Sequence, residues 1–106
     1  MSNMEDRQRA FENKFAHDAE KEFKVNARRN KLLGLWAAQK LGKTGEEADA
    51  YAKDVVIADL ESAGDNDVIG KLLKDFGRAG VAVHISEIEK QMADLLPIAR
   101  KQLAEG

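Results

Sequence analysis

The stretch EDRQRAFENKFAHDAEKEFKVNARRNKLLGLWAAQKLG, Glu5 to Gly42, decides the architecture. It holds no proline and no glycine before Gly34, so one uninterrupted helix is open to it. Its halves nevertheless differ. Residues 5–31 are mostly charged with isolated phenylalanines, whereas residues 32–41 are dense in leucine, alanine and tryptophan. Leu32, Leu33, Trp36, Ala37 and Leu41 give the second half a core face, with Trp36 as its expected anchor. In the first half Phe11, Phe15, Ala19 and Phe23 recur every four residues, and Glu20 with Lys24 adds an i,i+4 pair.

Helix signals continue through the rest of the chain, and strand alternation is nearly absent. Gly42 can turn left-handed and close the first helix. Thr44 with Glu47 reads as a capping box for a second, which carries Ala48, Tyr51, Ala52, Val55, Val56 and Leu60 and stops near Gly64. Asp65 or Asn66 opens a third, with Ile69, Leu72, Leu73 and Phe76 on one face and an end near Gly80. Ser86 with Glu89 reads as a second capping box, ahead of Ile88, Met92, Leu95, Ala99 and Leu103. Pro97 interrupts that last pattern, and a kink or a break into two short pieces is expected there. The expected fold is all-α: a four-helix bundle of antiparallel helices with short loops.

Length sets the first helix apart. At 1.5 Å per residue, residues 4–41 would span about 57 Å, against roughly 20–30 Å for the others. Burying Phe11 and Phe15 gains about 2–3 kcal/mol each, while ordering some fifteen residues costs about 1–2 kcal/mol apiece. Residues 1–19 are therefore expected to form an N-terminal helical arm, flexible or fraying when free, ahead of a bundle domain of residues 20–106. Such a segment becomes helical when a groove receives its phenylalanines. The alternative, in which Phe15 and Phe23 fold back onto the bundle as satellite core, stays open.

Composition and motifs exclude more than they assign. The 106 residues carry 43% hydrophobic and 34% charged side chains with a net charge of −2, a single soluble domain with no field to recruit nucleic acid or anionic membrane. No cysteine is present, which removes thiolate metal sites and nucleophiles and fits a reducing compartment. The chain has neither a secretory signal pattern nor an apolar run of about 20 residues. His17 and His84 lack further ligands at metal-site spacing and read as solvated or capping histidines. Ser86 and Thr44 are absorbed by capping, so no catalytic residue, metal or cofactor is expected and the chain does not read as an enzyme. GKTG at 42–45 lacks the first glycine and preceding strand of a phosphate loop and reads as an interhelical turn. ARRNK at 27–31 reads as one solvated basic turn.

The runs FAHDAE, ARRNKLLGLWAA and LGKTG, together with GDNDVIGKLLKDF, resemble the zeta subunit of the alphaproteobacterial F1Fo-ATP synthase, over essentially the whole chain. Pro97 departs from that pattern. The resemblance implies a regulatory inhibitor, cytoplasmic and peripheral to the inner membrane through the F1 head, and a monomer when free. In that family an N-terminal segment enters an α/β catalytic interface of F1 beside the γ rotor and blocks ATP hydrolysis. Carried onto this chain, the contact candidates are Arg7, Arg9, Phe11, Lys14 and Phe15. The rival reading is a general helical adaptor, or a nucleotide-responsive binding module using Arg28, Arg29 and Lys31 on the bundle surface.

Overall fold

The computed structural model describes the backbone of residues 2–61 and 65–105, and the side chains of residues 20–60 and 67–104. Four helices make up the described chain: α1 (Ser2–Lys40), α2 (Gly45–Glu61), α3 (Asp65–Ala79) and α4 (Ile85–Glu105). α1 lies against α2 on one side and α4 on the other, and α3 closes the ring between them. The pairing is antiparallel. Gly34 of α1 meets Ala52 and Val55 of α2, Glu22 of α1 meets Arg100 of α4, and Tyr51 of α2 meets Asp75 of α3.

The helix ends follow from glycine. Gly42 (φ 79) and Gly80 (φ 70) both turn left-handed. Lys43 N–H then donates to Ala38 O at 2.9 Å and Gly42 N–H to Gln39 O at 3.1 Å. Val81 N–H donates to Phe76 O at 2.9 Å and Gly80 N–H to Gly77 O at 3.2 Å, the same double bond pattern. Both ends are Schellman closures, which satisfy carbonyls that the helix leaves without partners. Thr44 stands just before α2 as expected, and Glu47 N–H donates to its carbonyl at 3.2 Å.

The entry to α4 differs from expectation. The helix begins at Ile85, and the capping side chain is His84 rather than Ser86. Ser86 N–H donates to His84 Nδ1 at 3.1 Å, the Ser86 hydroxyl lies 2.8 Å from the same nitrogen, and Glu87 N–H donates to the His84 carbonyl at 3.0 Å. The ring nitrogen does the work a serine oxygen does in a capping box. Nor does Pro97 break the helix, because α4 runs through it as one element. Pro97 and Ala93 are both exposed, so the missing hydrogen bond falls on the outer side of α4.

The core is formed by Leu33, Ala37, Ala38, Tyr51, Val55, Val68, Leu72, Phe76, Ile88 and Met92. Of the expected positions, Leu60 is instead exposed, and Trp36 is a flank rather than the centre. Its ring meets Phe76 edge-on at 6.0 Å and carries the Lys40 ammonium 5.2 Å from its centroid. Each of the largest fully buried side chains, Phe76, Leu33, Leu72 and Ile88, contributes about 1.5–3 kcal/mol.

Candidate partner-binding surface

α1 has 39 residues, against 17, 15 and 21 for the other helices. The molecule is accordingly elongated, 66 × 26 × 21 Å. Among the described residues of α1, Val25 is the first that is buried, and residues 20–24 are all exposed. Just outside Val25, Arg100 grips Glu22 with two hydrogen bonds, of 2.6 and 3.1 Å. That pair joins the outer part of α1 to the last turns of α4. Glu20 and Lys24 form the expected pair at 3.4 Å.

Phe23 is 57% exposed, so the alternative in which it packs into the bundle is not what the chain does. The contact candidates Arg7, Arg9, Phe11, Lys14 and Phe15 all belong to the sequence of α1, and their side chains lie outside the described residues, as does that of His17. The stretch ARRNK requires a correction. Arg29 is 7% exposed and Asn30 fully buried, so this turn is not a solvated basic face. Asn30 Oδ1 accepts from Arg29 Nε at 3.3 Å and Nη2 at 3.1 Å, which leaves Asn30 Nδ2 buried without a partner. The spacing could have shown this, because Arg29 lies midway between Val25 and Leu33 on one helical face.

At the α2–α3 seam lies a second polar cluster that the sequence did not single out. The Tyr51 hydroxyl donates to Asp75 Oδ2 at 2.7 Å, and Lys71 Nζ donates to the same oxygen at 3.1 Å. Burial pushes the Tyr51 phenol well above its ordinary range, aided by the Asp75 carboxylate it bonds. Burial also pushes the Asp75 carboxyl up, but the hydrogen bonds from Tyr51 and Lys71 outweigh it and hold the group below the usual carboxylate range. This is a bonded structural network with no nucleophile and base in line. Among the described residues no group of histidines and carboxylates could hold a metal ion, and no helix is long and apolar enough to cross a membrane.

Residues 1–102 match the family described as ATPase inhibitor subunit zeta. The chain belongs to that family. Its role is therefore regulatory rather than catalytic: it acts as an inhibitor of an ATPase. A solution NMR structure is 45% identical to it, aligned over 79% of this chain and 95% of the other, with a TM-score of 0.71. The bundle is thus similar to one already seen in solution. Among curated proteins no match is found.

Proposed function

We propose that this zeta-family chain inhibits ATP hydrolysis by F1 by inserting an arm, residues 1–19, between the α and β subunits against γ. One observation supports this reading above others: α1 begins at Ser2, yet burial among its described residues begins only at Val25. Some 30 Å of helix thus precedes Val25, the first buried position among the described residues. Ordered in a groove, the arm would contribute Phe11 and Phe15 as anchors, with Arg7, Arg9 and Lys14 beside them. Association with the F1 head would hold the chain in the cytoplasm, peripheral to the inner membrane. Residues 20–106 act as the bundle that carries the arm.

Titration of F1 hydrolysis with the parent chain and with a chain lacking residues 2–17 tests the reading. The truncated chain should keep its melting temperature and lose inhibition. Full inhibition by it would transfer the activity to the bundle surface, as an adaptor requires. Within the full chain, Phe15→Ala or Phe11→Ala should cost about 2–4 kcal/mol of inhibitory affinity, roughly 30- to 800-fold. Glu12→Gln should change little, since single charges at an interface rim usually do.

A further inference from the structure

The exposed Phe23 is not a stray surface apolar residue. It lies seven residues before Asn30 and eleven before Gly34, on the same helical face, and both of those are buried. That face looks towards α2, where a Cβ on Gly34 would touch Ala52. Moving eleven residues back from Gly34 corresponds, in an antiparallel pair, to moving eleven forward from Ala52, beyond Glu61 where α2 ends. Phe23 is a core-facing side chain whose covering helix has stopped. It cannot turn inward elsewhere, because Val25 is fully buried and Glu22 is held by Arg100, which together fix the rotation of α1.

We propose that Phe23 is the inner anchor of the arm's binding surface, filling an apolar recess of the same partner that receives residues 1–19. The proposal rests on the inhibitory reading above. What selects the occupant is size and continuity. A phenylalanine with 57% of its surface open presents on the order of 100 Å², whereas a stable interface between two copies buries roughly 1,200 Å² or more. Phe23 alone cannot hold a second copy; it can only extend a larger contact. Along α1 the contact it adjoins is the arm, whose Phe11, Phe15 and Ala19 continue its four-residue spacing.

Full-length chain with Phe23→Ala should fold with an unchanged melting temperature and raise the concentration for half-inhibition of F1 hydrolysis about ten-fold. Three results would overturn the proposal: the same half-inhibition as the parent, a melting temperature lowered by several degrees, or a parent dimer in sedimentation that Phe23→Ala dissociates. Failure of the wider reading has a different signature, since the parent chain itself would then leave F1 hydrolysis uninhibited.

Discussion

A methyl group at position 34 would sit 2.6 Å from the Ala52 Cα and 3.2 Å from a Val55 methyl. Backbone is the obstacle, so α1 and α2 would have to separate. Gly34→Ala should cost about 1–3 kcal/mol, or roughly 5–20 °C in Tm for a domain of this size. Thermal unfolding followed by circular dichroism checks this, and an unchanged Tm would mean that the seam has slack. Asp75 makes a second test. Its carboxyl is held below the unfolded value of about 3.9. Its contribution is therefore complete above the unfolded value and is lost as pH falls through the folded one. The Tm gap between the parent and Asp75→Asn should be open near pH 6 and close towards pH 2. Tyr51→Phe, which removes the 2.7 Å bond to a partly buried carboxylate, should lower stability by about 1–3 kcal/mol in urea unfolding.

Helices and their ends were legible because local chemistry sets them: Gly42 and Gly80 close α1 and α3 where a left-handed residue was expected. Faces were legible less fully. Val25 and Val68 are fully buried while Leu32 and Ile69 are only half-buried, because rotation about each helix axis is fixed by neighbours that single-helix periodicity does not contain. Arg29 and Asn30 were misread for the same reason, since their residue types suggest solvent and only the helices packed around α1 bury them. His84, read as a solvated or capping histidine, is a cap and takes the place expected of Ser86. Inside α3, Gly70 has nothing within 4 Å of where a Cβ would stand. Gly70→Ala should stabilise the bundle by about 0.5–1 kcal/mol, read as a higher urea midpoint.

The contact candidates proposed for residues 1–19 come from family resemblance, whereas the length mismatch between α1 and the other helices was present in the sequence itself. Proportion is what the four helices add: a bundle wide enough for four helices, and one helix of about 58 Å in a molecule 66 Å long. The Glu22–Arg100 pair marks where the two regimes meet. Both side chains are about half exposed, so the pair guides geometry more than it stabilises. Glu22→Gln should shift Tm by only a degree or two.

The ring order also bears on how the chain is made. Of the four helices α1 leaves the ribosome before the others, and its two neighbours are α2 and α4, the second and the fourth. The hairpin with α2 can close early and cover Gly34. The other flank, with Val25 and Arg29, waits for Met92 and the rest of α4, translated some sixty residues later. At about 5–20 residues per second, that flank stays open for several seconds in every nascent chain. Bundle closure therefore waits for the synthesis of α4. A chaperone that meets this protein during synthesis would find the α4-facing side of α1 uncovered.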